Sequence, residues 1–563
     1  MPQKNNHLLD DILLILTMAV LAGCGLIYEY LLSHYAGRVL GVMESTIYTM
    51  IGLMIVSMGL GAFAARKVRC AFNGFVWLEL IIALLGSSAI LLIGVLIAVT
   101  QLLPDLIANM LALPPDMKPE GGLFKQLSWL AFNSPYFFGV LLGFFIGMEI
   151  PLIARIREHI HKRYLANNLG TIYGADYVGA GIGAAIWVLF LLSIDISKAA
   201  ALTASLNLIA GAFFIVRYWS HLTWRKTFVS LHGLLALIII LMFSLGNQWL
   251  NQMNSLLYLD KVVYSDKTRY QQLTFTERQM GLEQDNIINF YLNGRLQFSS
   301  FDEHIYHDYL VAPVMAASAR QENILIIGGG DGLALRDVLK YDPKSVVLID
   351  LDSELIEIFK QPKNTVNNQL AHKISTLNKR SLQDSRVTII AADAFIAIND
   401  LLKSRQVFDA IIVDLPDPSH PDLNKLYSVN FYARLNLLLS GDGLIVIQST
   451  SPYHAKASFI AIGNTLKAAN FNYVQQYHDN VPSFGEWGWT IASKQGASPL
   501  TRLNKLSQLP IEHSWLNLSL LKSAFIFPNN FYQDKDEIGI NILGSHTIYQ
   551  LHQQAWQDQQ GLN

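Results

Sequence analysis

Cysteine is nearly absent. Cys24 and Cys70 are the two in 563 residues, and both fall in the first, apolar part of the chain. That count excludes a disulfide framework and a cysteine-based metal cluster. A surplus of either charge is missing too. Lys plus Arg number 41 against 43 Asp plus Glu, a formal net charge of −2, which argues against a basic nucleic-acid-binding surface. The glycine turn at 328–330 lacks the G-x-G-x-x-G order that cradles a dinucleotide pyrophosphate, and no P-loop lysine follows it. The first apolar run has no small-residue cleavage site before a soluble chain, and further runs follow it. It is therefore expected to be a span and not a removed signal peptide.

Apolar sequence is what abounds, at 52% hydrophobic residues, and it is unevenly spread. Crossing a bilayer takes about 20 consecutive apolar residues. Seven such runs lie near 11–33, 44–64, 76–100, 131–153, 174–194, 198–216 and 228–246. Residues 1–250 are thus expected to form a multi-span transmembrane domain embedded in a lipid bilayer. Gly179 and Gly183 have the small-xxx-small spacing that lets helix backbones approach closely. Glu29, Glu79, Glu149 and Asp176 lie in or beside the runs. Such acids are costly in lipid and are functional candidates by default. The plainer reading, preferred for each, is a place at the interface or a pairing with nearby Arg and Lys. Glu149, just before Pro151, is the most central in its run.

The loops holding Arg66, Lys67 and Arg69, then Arg155, Arg157, Lys162 and Arg163, then Arg217, Arg225 and Lys226 are basic. The alternate loops carry only Arg38, Lys118, Lys125 and Lys198. The positive-inside rule puts the first set in the cytoplasm. With seven spans, the chain after the last one would then emerge on the other side. An eighth or re-entrant segment within the long stretch from Phe75 to Leu103 would remove the conflict.

Beyond a polar joint near 247–262 the sequence reads as α/β. A β-rich piece over 262–312 contains alternating strands about Asn293-Gly294, a hairpin signal. Strands and helices then alternate through 322–495, which predicts a parallel, doubly wound sheet with its ligand beyond the carboxyl ends of the strands. The chemistry-bearing residues fall there. Gly328, Gly329 and Gly330 follow the first strand of this series, and Asp350 ends the next, where an acid can bind ribose hydroxyls. Asp393 ends a third, and Asp414 and Asp417 in "IIVDLPDPSHP" follow a fourth. These acids could also be solvated loop residues or turn-forming Asx residues.

The pattern resembles the nucleoside site of sulfonium-dependent enzymes. Asp331, inside the glycine turn, would repel the carboxylate of S-adenosylmethionine and attract an aminopropyl ammonium instead, which disfavours a methyltransferase. With ribose on Asp350 and the adenine amino group on Asp393, the acids Asp331, Asp414 and Asp417 remain. No Lys or Arg stands in these strand-end motifs, so the trio suits a polycation such as a polyamine.

The motifs resemble those of the spermidine synthases, the polyamine aminopropyltransferases. They are "YQ" at 270–271, "LNGRLQ" at 292–297, "DEHIYH" at 302–307, "IIGGGDG" at 326–332, "LIDLD" at 348–352, "ADA" at 392–394, "DLPDP" at 414–418 and "LYS" at 426–428. Together they cover the chain from about Tyr270 to Ser493, and the whole resembles the bacterial form with an added multi-span region. The fold implied is an α-helical membrane domain of about seven spans followed by a Rossmann-like aminopropyltransferase core at 322–495. A small N-terminal β-hairpin subdomain would precede that core, and a C-terminal extension at 496–563, with a closing helix and no nameable chemistry, would follow it.

The implied reaction moves the aminopropyl group of decarboxylated S-adenosylmethionine to putrescine, giving spermidine and methylthioadenosine. That donor is a co-substrate; the resemblance implies no cofactor and no metal. Gln271, Asp350, Asp393 and Ala394 would bind the nucleoside, and Pro421 would line its pocket. Tyr306, His307 and Asp331 would serve the amine chain, Asp417 would position the attacked end, and Asp414 would accept the proton. An alkylammonium pKa near 10.4 against about 3.9 for a free Asp makes Asp414 a poor base unless burial raises it. His307 and Tyr306 are read either as a proton relay or as amine-positioning groups.

Three departures bear on amine choice. "SSFDE" at 299–303 replaces the usual "TERDE", Ala394 replaces a glycine, and Phe484 with Trp487 stands where a Tyr often lines the amine channel. Cadaverine, agmatine or spermidine as acceptor, or a non-catalytic polyamine sensor or transporter, stay open as alternatives. The donor is a cytosolic metabolite, so a cell-membrane protein with a cytoplasmic enzyme domain is expected despite the charge rule. Soluble relatives are commonly oligomers, so the resemblance allows a homo-oligomer.

Overall fold

The computed structural model describes residues 3–40, 43–111, 121–161, 168–255, 258, 260–281 and 285–560. Lys118, Lys162 and Arg163 of the basic-loop pattern lie outside them. The chain divides into two compact units, Met1–Leu259 and Asp260–Asn563.

Among the described residues of the first unit, seven helical segments are long and apolar enough to cross a membrane. They are Asp10–Gly37, Thr46–Lys67, Ala71–Ala108, Ser134–His161, Asn168–Ser193, Ile196–Arg217 and Arg225–Met253. The stretch from Phe75 to Leu103, where an eighth or re-entrant segment would have to lie, is part of one helix, Ala71–Met110, of 40 residues. At 1.5 Å per residue it is about 60 Å long, twice a hydrocarbon core of about 30 Å. An added helix, Leu123–Phe132, has 10 residues and is too short to cross. The fourth segment is broken at its middle. One helix runs Ser134–Ile146 and another Glu149–His161.

The glycines of the fifth segment serve packing. A Cβ on Gly179 would stand 1.9 Å from the Ala19 carbonyl oxygen, and one on Gly183 would stand 2.5 Å from that of Gly23. The plain reading of the intramembrane acids is corrected for two of them. Glu79 and Glu149 are buried inside the bundle, and among the described residues neither pairs with a Lys or Arg side chain.

The second unit opens with an antiparallel sheet of four strands in sequence order: β1 (Lys261–Lys267), β2 (Gln272–Arg278), β3 (Ile287–Leu292) and β4 (Arg295–Ser299). Asn293 and Gly294, both at positive φ, make the expected turn between β3 and β4. The expected hairpin is thus half of a larger sheet, in which β2 buries Leu273 and Phe275 and β1 pairs along its edge.

The second sheet has seven strands: β5 (Asn323–Gly328), β6 (Ser345–Asp350), β7 (Val387–Ala391), β8 (Phe408–Asp414), β9 (Leu439–Gln448), β10 (Tyr473–Val481) and β11 (Gly485–Ser493). Their spatial order is β10-β11-β9-β8-β5-β6-β7. Strands β5 to β9 are parallel, whereas at one edge β11 runs antiparallel to both of its neighbours, β9 and β10. The sheet is therefore mixed and not purely parallel. The turn from Val481 to Gly485 is too short for a crossover, and such a turn joins only antiparallel strands. Both faces are covered. Ile324 and Ile326 of β5 enter one apolar layer, and Leu325 and Ile327 enter the other. This two-sided burial is why the central strands read as continuous apolar runs.

Candidate active site

The parallel strands are in register at their carboxyl ends. Gly328 of β5 pairs with Asp414 of β8, and Asp350 of β6 pairs with Ala391 of β7. One rim thus carries the glycine turn and the acids. Gly328 is irreplaceable on two counts. Its φ is +82°, and a Cβ would stand 1.9 Å from the Asp414 carbonyl oxygen. A cavity of about 310 Å³ opens over this rim and reaches β3, β4 and the β10–β11 turn. Gln271, Tyr306, His307, Asp331, Asp350, Asp393, Ala394, Asp414 and Asp417 all line it. Pro421 does not. It opens the short helix Pro421–Asn424 and is buried there, while Ser419, Asp422 and Leu423 face the cavity. Proline suits that first helical position, which fixes its place under the wall.

At one end Asp350 accepts backbone N–H groups from Gly330 at 3.1 Å and Asp352 at 3.0 Å. Burial still lifts its carboxyl to about 6 against those two donors. Gln271 is held by Asp352, to which its Nε2 donates at 3.0 Å, and Thr268 donates to the same oxygen at 2.6 Å. Asp352 also caps the following helix through the Glu354 and Leu355 N–H groups. Asp393 caps the helix beginning at Ala394 and is paired with Lys425 at 2.6 Å.

At the other end the helix Glu303–Ala317 presents Tyr306 and His307. Tyr306 donates to Asp414 at 2.7 Å. His307 Nδ1 faces Glu303, one helical turn back, at 2.8 Å. Arg336 clamps both oxygens of Glu303 at 2.7 and 3.1 Å. Burial opposes the charge of His307, but Glu303 outweighs it and holds the imidazole up at about 9. Burial likewise opposes the charge of Glu303, and His307 with Arg336 brings it down to about 2. Glu303 thereby favours the charged imidazole.

Burial raises Asp331 to about 6, with the His307 charge pulling the other way. Burial raises Asp414 too, against the His307 charge and the Tyr306 hydroxyl. Asp417 accepts from Gln448 Nε2 at 3.2 Å and lies 3.3 Å from His552 Nε2. Phe484 and Trp487 form an aromatic wall with ring centroids 5.1 Å apart. Asp302 fixes that wall by accepting from the Ser483 N–H and hydroxyl at 2.6 and 2.8 Å.

Sequence reasoning missed several of these. Asp352 stood inside "LIDLD", and Lys425 immediately precedes "LYS". Arg295 also lines the cavity, so its lining is not wholly acidic. Gln448 and His552 gave no local signal, and His552 comes from the extension to which no chemistry was assigned. Among the described residues no three His, Cys, Asp or Glu side chains come together in a group that could hold a metal.

A glycine rim, a carboxylate on the neighbouring strand and an acidic, aromatic far end describe an α/β transferase for a nucleoside donor and a cationic acceptor. The spermine/spermidine synthase domain matches residues 303–505. The chain is 57% identical over 554 residues to the polyamine aminopropyltransferase of Shewanella oneidensis, covering 98% of this chain and 96% of that one. It is 30% identical over 557 residues to polyamine aminopropyltransferase 1 of Streptomyces coelicolor, covering 97% and 95%. A crystal structure of spermidine synthase in complex with the transition state analogue AdoDATO is 24% identical, covers 49% of this chain and 90% of its own, and has a TM-score of 0.43. The chain belongs to the polyamine aminopropyltransferase family and is an enzyme of that type.

Proposed function

We propose that the cavity binds decarboxylated S-adenosylmethionine and putrescine together and makes spermidine in line. The amine nitrogen attacks the propyl carbon beside the sulfonium. A C–N bond forms as the C–S bond breaks, the electron pair stays on sulfur, and methylthioadenosine leaves. Asp350, Gln271, Asp393 and Ala394 hold the nucleoside. Asp331 faces the aminopropyl ammonium, and Asp417 takes the amine, with Phe484 and Trp487 supplying an apolar and cation–π wall.

The observation that carries this reading is the setting of Asp414. It is half-buried, aimed by Tyr306 and raised above the usual carboxylate range, as a group that accepts a proton from an attacking ammonium needs to be. His307, kept positive by Glu303, leaves Asp414 as the acceptor and supports its charge. Holding nitrogen and carbon in line contributes several kcal/mol more.

The seven apolar segments support a multi-pass place in the cell membrane. The cytosolic origin of the donor supports a catalytic unit on the cytoplasmic side, against the charge pattern of the loops. An active periplasmic phosphatase fused after residue 563 would overturn that side.

The test is turnover by the detergent-purified full chain with decarboxylated S-adenosylmethionine and a panel of amines, read by mass spectrometry. Methylthioadenosine and spermidine from putrescine, lost in Asp414→Asn, are expected. Amine binding without turnover would overturn the reading, and turnover with cadaverine or agmatine in preference would replace the acceptor.

A further inference from the structure

The helical unit contains a polar centre that aminopropyl transfer does not use. Five helices contribute to it. Glu79 comes from Ala71–Met110, Glu149 from the start of Glu149–His161, Asn207 from Ile196–Arg217, Tyr28 from Gln3–Leu40 and His232 from Arg225–Ser255. Asn207 donates to one oxygen of Glu79 at 3.0 Å and accepts from the Tyr28 hydroxyl at 3.1 Å. The other Glu79 oxygen and both Glu149 oxygens are buried and have no hydrogen-bond partner. Glu79 is 0% and Glu149 1% exposed. The charges of Glu79 and Asp176 reach Glu149, and those of both glutamates reach Cys24 and Tyr28.

A second, independent feature points into this centre. His232 is 7% exposed, and its Nδ1 lies 2.9 Å from the Phe228 carbonyl oxygen. A carbonyl only accepts, so Nδ1 carries the hydrogen and Nε2 presents a lone pair. That Nε2 is buried without a partner. A Cβ on Gly211 would stand 2.7 Å from Nε2 and 3.3 Å from the Glu79 Cβ, so the imidazole edge and Glu79 meet over one glycine. Glu149 stands where the fourth segment breaks, midway along Ser134–His161. Broken helices with acids at mid-depth are where spanning proteins handle small cations.

Carboxylate oxygens this deep, with neither donor nor cation, have to be neutralised. No group of three metal-ligating side chains forms among the described residues, and Glu79 and Glu149 retain three unpartnered oxygens between them. We propose that Glu79, Glu149 and His232 form an exchangeable proton-binding site within the spanning unit. The ligand is a hydron. It is held on one of the unpartnered carboxyl oxygens or on the His232 Nε2 lone pair, and Asn207 and Tyr28 fix the orientation of Glu79. This inference is independent of the transfer reaction.

The test is infrared difference spectroscopy of the full chain in lipid, titrated from alkaline to acid in H2O and in D2O. The carbonyl stretch of a protonated carboxylic acid is expected to grow toward acid and to shift in D2O. Glu79→Gln and Glu149→Gln should each remove part of it. Both variants should keep wild-type transfer rates, because neither residue belongs to the catalytic cavity, and that activity certifies their folding. No such band, or a band that neither variant reduces, overturns the proposal. So does a band that fails to shift in D2O, which would mark a locked structural proton. Loss of the band on adding sodium or putrescine at fixed pH would make the site one for a larger cation and overturn the hydron. Should one variant fail to fold, the other variant and the isotope shift still decide.

Discussion

Both units bury carboxylates, and they treat them oppositely. In the α/β unit Glu303 meets Arg336 and His307, Asp352 meets Thr268, Gln271 and two backbone N–H groups, and Asp350 meets two more. In the helical unit Glu149 meets none. Strand ends and helix starts have unspent N–H groups to offer. A spanning helix spends its own internally, so an acid in its middle depends on another side chain or on a proton. The same residue type is thereby a fixed charge in one region and an exchangeable acid in the other.

The sharpest way to test that contrast is in the catalytic cavity. Asp414→Asn should lower kcat by at least about 100-fold with little change in the KM for the donor, measured by methylthioadenosine release. A smaller loss would mean that positioning alone carries the reaction. Next come paired substitutions. Glu303→Gln leaves Arg336 and His307 short of a charge and should destabilise the α/β unit by about 3 kcal/mol or more in chemical unfolding. Glu149→Gln swaps one neutral group for another, so the thermal midpoint of the purified chain should hold or rise. Equal losses in the two variants would abolish the contrast.

The pH response is smaller. The folded pKa of His307, about 9, lies above its ordinary 6.5. Its contribution is full below about 6.5 and is lost as pH rises through about 9. Stability of the α/β unit should fall over that window, and His307→Gln should flatten the fall. Smallest is the aromatic wall. Phe484→Tyr adds a hydroxyl worth about 1 kcal/mol and should alter the KM for putrescine by less than about tenfold, with kcat retained.

Much of this was legible in the sequence. Apolar runs of bilayer length marked the seven helical segments, and acids at strand ends marked the rim, because those signals are local. Lys425 and His552 were not, since each meets its carboxylate through contacts distant in sequence: 32 residues separate Lys425 from Asp393, and 135 separate His552 from Asp417. The antiparallel edge was missed because β10 carries Gln475, Gln476, His478, Asp479 and Asn480 and so has no apolar run to mark it as a strand. Glu79 and Glu149 were misjudged for another reason. Depth within a span can be read along a chain, but whether a partner stands opposite cannot.

The cavity draws its two functions from unlike parts of the sheet. Asp414 ends a parallel strand clamped to Gly328, where a single added carbon would collide with the backbone. Phe484 and Trp487 sit at the tip and flank of the β10–β11 hairpin at the edge of the sheet, where both are half-buried. Mutation can therefore explore the hairpin while the rim stays fixed. A lineage could change the amine it accepts through a few substitutions on one edge, with the inherited chemistry carried along intact.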